Sequence, residues 1–224
     1  LSEIYHPMAG FVSGWISATV GFAAPTALAA MTFGAYLSAS LGGPVSASLL
    51  AALLVIFLTG IHVLSHAASG GFQTLFTILK VILILVFVSA VAVSVTDVQP
   101  VVLIPVSEDF GLLMSSAFAV SLIYVNYAYT GWNAATYIIN EVDEPRRNMP
   151  VILFLGTAIV MVLYLLLNYV FLYAAPISEM EGKLEIGVIV ARSTFGETGA
   201  TIMGVMLATL LVSTVSAMVI AGPR

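Results

Sequence analysis

Apolar residues run along this chain in long, nearly unbroken stretches, and the polar residues gather between them in clusters that carry most of the prolines. Crossing about 30 Å of hydrocarbon takes about 20 apolar residues at a rise of about 1.5 Å each. Six stretches meet that measure, at residues 9–37, 44–64, 72–95, 112–140, 151–175 and 199–221. Breakers stand at their limits: Gly42, Gly43 and Pro44; Gly70 and Gly71; Pro100 and Pro105; Pro145 and Pro150; Pro176. No alternating run of about ten residues recurs as barrel strands require, and unpaired backbone groups cost several kcal/mol in hydrocarbon. The pattern predicts an all-α integral membrane protein with six transmembrane helices in one domain. Between the last two stretches, Ile186, Val188, Ile189, Val190 and Ala191 beside Arg192 form a run too short to span, which predicts a surface helix at the membrane interface.

Composition agrees with a lipid solvent. The 224 residues are 61% hydrophobic and 8% charged, with a mean hydropathy of +1.13, whereas soluble domains are roughly 45–50% apolar and about 25% charged. A net charge of -5 with only six Lys and Arg leaves no basic stripe for phosphates, so a nucleic-acid partner is excluded. The absence of cysteine removes disulfides and thiolate chemistry. Arg146 and Arg147, the paired basic residues, put the loop at 141–150 in the cytoplasm by the positive-inside rule. Alternation then puts the first eight residues, the turn at His66 and Arg224 inside, and 96–111 and 177–198 outside, with Lys183 and Arg192. No signal peptide is visible, and the two ends read as cuts through a longer protein.

The segment 127–150, YAYTGWNAATYIINEVDEPRRNMP, holds the most chemistry. The stretch 112–140 would measure about 43 Å as one helix, longer than the hydrocarbon core. Thr130 and Gly131 weaken its middle, because Gly costs about 1 kcal/mol relative to Ala in a helix and Thr competes for backbone hydrogen bonds. Two readings follow from the residues: a helix broken at Thr130-Gly131 beside a polar cavity, or a continuous, tilted helix in which Gly131 serves close packing. Lys80 is the cation embedded in an apolar run. It either faces a partner or cavity, where it can shed a proton and act as a proton carrier, or it snorkels to the interface. Pro25 predicts a kink, facing a substrate path or simply accommodated by neighbouring helices. Asn168 is expected to bond a neighbouring helix. His62 and His66 have i,i+4 spacing but no third ligand, so no metal site is expected. No paired carboxylates or Ser/His set occurs at membrane depth, which argues against an intramembrane enzyme.

The order Tyr127, Ala128, Tyr129, Thr130, Gly131, Trp132, Asn133, then Glu141, then Pro145, Arg146, Arg147, Asn148 and Pro150 resembles the sixth helix and following loop of permeases in the amino acid/polyamine/organocation superfamily. Residues 8–15, with Gly10, Phe11, Gly14 and Trp15, look like the third helix of that family. Residues 72–81, with Gln73, Phe76, Thr77, Leu79 and Lys80, look like its fifth, and 213–224 like the end of its eighth. The likeness covers essentially the whole chain and implies a central fragment, helices three to eight, of an inverted-repeat amino-acid transporter.

The resemblance implies secondary active transport of an amino acid by alternating access, as proton-coupled symport or exchange, with no cofactor. Its alternatives are transport of a polyamine or other organic cation on the same fold, and a non-transporting or channel subunit. The substrate would lie at a break at Thr130 and Gly131, under Tyr127 as an aromatic lid, with Trp132 and Asn133 opening the second half-helix. Ala24 and Pro25 would flank it. Packing alone remains the other reading of Tyr127 and Trp132. Lys80 would carry the coupling proton beside Ser213 and Thr214, and Glu141, Arg146 and Arg147 would form a cytoplasmic loop or gate. The bilayer, an amino acid and protons are the expected partners and the plasma membrane the expected location; oligomeric state is not specified.

Overall fold

The computed structural model describes residues 2–64, 66–102, 104, 106–107, 109–132, 135, 139–183 and 185–222, with backbone alone at 64, 66–69 and 141. Among these residues every regular element is helical. The elements are α1 (Pro7–Ile16), a π-helical turn (Ser17–Ala23), α2 (Ala24–Ser40), α3 (Ala47–Leu64), α4 (His66–Ser94), α5 (Asp109–Leu113), α6 (Ser116–Ala128), a 3-10 turn (Ile139–Glu141), α7 (Pro145–Ala174), α8 (Ile177–Met180) and α9 (Ile186–Ala221).

Among the described residues, four helical rods are long and apolar enough to cross a membrane: Pro7–Ser40 with 34 residues, Gly70–Ser94 with 25, Pro145–Ala174 with 30 and Ile186–Ala221 with 36. The second expected stretch becomes α3, of 18 residues. The fourth is divided: α5 stops at Leu113, Ser115 caps α6 by accepting the Phe118 N–H, and α6 ends at Ala128.

Several expected limits move. α4 runs straight through Gly70 and Gly71, which do not end it. α7 begins at Pro145, so Arg146 and Arg147 stand in its first turn instead of in a loop, and Pro150 lies inside the helix. Proline at the first helical position is tolerated because that N–H has no intrahelical partner in any case. α9 joins the expected surface helix to the expected span through a kink at Gly196, with φ 71 and ψ -163, a conformation open to glycine and closed to side chains.

Two apolar clusters hold the bundle, and α9 enters both. One joins Phe87 and Val91 of α4, Val170 and Ala174 of α7, and Val190, Ala191 and Met203 of α9. The other joins Ala29 and Ala30 of α2, Ala51, Leu54 and Leu58 of α3, and Val215 of α9. The crossings use small residues. Lipid tails are as apolar as side chains, so helices in a bilayer associate through close backbone approach. Gly34 packs against the Ala47 carbonyl, and Gly204 against the Ser40 side chain.

Candidate functional site

The first rod turns from α to π winding at Ser17–Ala23, just before Pro25. Pro25 has no N–H, and in a regular helix its ring would press on the carbonyl four residues back. The wider turn accommodates it: the Ala24 N–H bonds the Thr19 carbonyl, five residues earlier. Pro25 thus leaves the rod continuous, with a π turn as the local irregularity that admits it. Ser17, Gly21 and Pro25 line a cavity of about 620 Å³.

α4 supplies a second wall. Gln73, Thr77 and Lys80 recur at helical spacing and all line the same cavity. The Lys80 Nζ donates to Thr214 Oγ1 at 3.2 Å, across 134 residues of sequence. Ser213, only 2% exposed, lines the cavity beside Thr214. The Gln73 Nε2 lies 3.5 Å from Thr77 Oγ1, while its Oε1 is buried without a donor among the described residues.

The end of α6 closes the third side with Tyr127, Thr130 and Gly131. The α-helix terminates here through tightened bonds: the Tyr129 N–H donates to the Asn126 carbonyl, and both the Thr130 N–H and its Oγ1 donate to the Tyr127 carbonyl, at 3.0 and 2.7 Å. Bonds reaching back three residues are the usual ending where four carbonyls lose their intrahelical donors. The Ala128 carbonyl is taken by the Tyr164 hydroxyl of α7 at 3.0 Å, and the Tyr129 and Tyr164 rings meet edge-on at 5.3 Å. Gly131 then turns the chain with φ 101. A free Cβ there would meet no atom within 4 Å, so backbone conformation alone calls for glycine.

One cavity therefore collects Pro25, Lys80, Tyr127, Thr130, Gly131, Ser213 and Thr214. Ala24 neighbours it along the chain without lining it, and Trp132 is 62% exposed beyond it. Asn133 lies outside the described residues. Glu141, Arg146 and Arg147 stand apart from the cavity: Glu141 ends the 3-10 turn and the arginines open α7, where exposed Arg147 meets exposed Glu144 at 3.7 Å. Such an exposed pair contributes little to stability. Lys80 is the one charged residue among the described lining residues. No group of three metal-ligating side chains occurs among the described residues.

Some polar contacts carried no signal in the chain. His62 shares a 3.0 Å hydrogen bond with fully buried Ser216, 154 residues away, tying α3 to α9. Asn168, expected to reach a neighbouring helix, instead donates to the Tyr164 carbonyl of its own helix at 2.8 Å.

Comparison with known proteins points the same way. The sequence profile of the family described as "Amino acid permease" matches residues 1–224. The b(0,+)-type amino acid transporter 1 of Mus musculus is 26% identical over 209 residues, covering 88% of this chain and 40% of the relative. The large neutral amino acids transporter small subunit 2 of Rattus norvegicus is 27% identical over 222 residues, covering 92% of this chain and 38% of the relative. The chain thus spans about two fifths of the length of these relatives.

Proposed function

The chain belongs to the amino acid permease family, and on that premise we propose that the protein carries amino acids across a membrane, the plasma membrane in the first instance, by alternating access. It is a multi-pass integral membrane protein; in this reading α3 and the 112–140 segment cross as well, completing six spans. The observation that carries the reading is the cavity in which the end of α6 faces Lys80, Ser213 and Thr214. A helix that stops at membrane depth turns the end of its dipole toward the cavity, and such ends hold the charged groups of a small zwitterion.

The helix around Thr130-Gly131 is discontinuous in this reading, with Trp132 and Asn133 opening its second half and Tyr127 covering the substrate. Pro25 and its neighbour Ala24 flank the substrate from the first rod. Lys80, with Thr214 as acceptor and Ser213 beside it, carries the coupling proton in symport or exchange. Glu141, Arg146 and Arg147 form the inner gate. A polyamine would meet a lysine and no carboxylate among the described lining residues, which favours an amino acid.

Uptake of labelled amino acids into liposomes by the full-length protein tests this. Saturable uptake, competition by unlabelled substrate and dependence on a pH gradient are expected, with the pH dependence lost in Lys80→Ala. Conductance without saturation would make the protein a channel, and proton coupling intact in Lys80→Ala would remove that residue from the mechanism.

A further inference from the structure

A second cavity, of about 720 Å³, opens at the other end of the α2–α9 crossing, lined by Thr32, Tyr36 and Ser40 of α2 and by Arg192, Glu197 and Thr201 of α9, with Glu185 capping that helix. The chain has only six Lys and Arg and eleven Asp and Glu, yet three of these charges meet in this one place. The kink at Gly196 brings two of them together. At 3.6 residues per turn, positions five apart in a regular helix point about 140° away from each other, but the Gly196 turn lets Arg192 Nε donate to Glu197 Oε1 at 2.8 Å. That bond uses one edge of the guanidinium and leaves its terminal N–H groups without a partner among the described residues. Glu185 makes no ion pair among the described residues, and it lines the same cavity as the Tyr36 phenol. The wall therefore offers a cation with donors free among the described residues and, at the N-cap seven residues earlier, an anion without an ion pair among them, with a phenol lining the same cavity. This is the charge complement of a zwitterion.

We propose that this cavity is a second amino-acid-binding site, in which Glu185 and Tyr36 hold the ammonium group and Arg192 holds the carboxylate. Resting on the transport reading above, it is a staging site: Tyr36 stands about 16 Å along the rod from Pro25, on the side from which an external substrate arrives. Partial exposure of Arg192 and Glu197, at 52% and 80%, makes it the weaker of the two sites.

Equilibrium binding of a labelled neutral amino acid to the full-length protein tests the proposal. Two molecules bound per protein are expected in the wild type and one in Glu185→Gln, a change that leaves the Arg192–Glu197 pair in place. External substrate should half-saturate uptake by Glu185→Gln at about ten- to a hundredfold higher concentration, the effect of losing one charge-assisted contact. A primary amine of the same side chain without the carboxylate should fail to displace the second molecule. One molecule bound to the wild type, an unaltered Glu185→Gln, or full displacement by the amine overturns the second site. A wild type that neither binds nor transports amino acids defeats the transport reading itself, a result distinct from all three.

Discussion

α9 buries Gly199, Ala200, Met203, Gly204, Ala208, Ser213, Val215 and Ser216 along its length, whereas α6 buries no residue at all. Both are apolar helices. The small side chains of α9 let α2, α3, α4 and α7 approach its backbone, and a close approach multiplies the dispersion contacts that hold helices together in lipid. α6 instead presents Ile123, Tyr124 and Val125 outward, and the bonds that fix its end are the Tyr164 hydroxyl on the Ala128 carbonyl and the ring contact with Tyr129. Within this chain the cavity is thus bounded by a dense wall and by one with few contacts to the other described helices. In the proposed transport cycle the dense wall is the scaffold and the end of α6 is the part that moves.

The largest expected effect lies in the scaffold. In Gly34→Val the new side chain falls on the Ala47 backbone carbonyl, which cannot swing aside. A loss of about 3 kcal/mol or more is expected, read as loss of monodisperse protein on size exclusion in detergent. A variant of wild-type stability would show that the dense wall is not dense. Gly131→Val comes next. It meets open space but forces a side chain to φ 101, at about 1–3 kcal/mol. The protein should stay folded with a slightly lower thermal midpoint while uptake collapses; normal uptake would mean that the turn at Gly131 is not needed in the cycle.

Thr214→Val keeps the shape and removes the acceptor for Lys80. Loss of a hydrogen bond to a charged group should lower proton-driven uptake about tenfold without altering expression. Unchanged uptake would detach α9 from the coupling step. The smallest effect is expected for Tyr164→Phe, which frees the Ala128 carbonyl at about 1 kcal/mol. Amide exchange at 126–130 should quicken roughly fivefold while the global midpoint stays put. A fall in the midpoint instead would mean that α6 belongs to the scaffold.

Much of the fold could be read along the chain. An apolar stretch of membrane length has to be helical, because hydrogen bonds within the segment are the only ones hydrocarbon leaves to an isolated span. The four long rods fall on stretches expected from hydropathy alone. The limits were harder to read. Gly70 and Gly71 carry breaker chemistry yet lie inside α4, since a glycine costs a helix only about 1 kcal/mol, which a long apolar rod tolerates. Ahead of Gly131 the helix does end, at Ala128, and Thr130 ties back to the last turn with its own hydroxyl. Candidate site residues drawn from the first, third, fourth and sixth stretches meet at one cavity. The arginines of the 141–150 segment stand elsewhere, because Pro145 starts a helix and draws them into it.

What the sequence determined by itself is the solvent, the helical class, the approximate rods and the isolated groups that lipid cannot leave unpartnered, Lys80 above all. Those follow from local quantities: transfer free energy, rise per residue and backbone satisfaction. Only the tertiary structure decided which partner each polar group finds: Thr214 for Lys80, Ser216 for His62, the Ala128 carbonyl for Tyr164. Partnership depends on how each helix is rotated about its axis, and glycine and alanine contacts far away in the chain set that rotation. The π turn before Pro25 and the kink at Gly196 belong to the same class of fact. Each shifts the facing of every residue beyond it, so that Arg192 and Glu197 meet where a straight helix would part them.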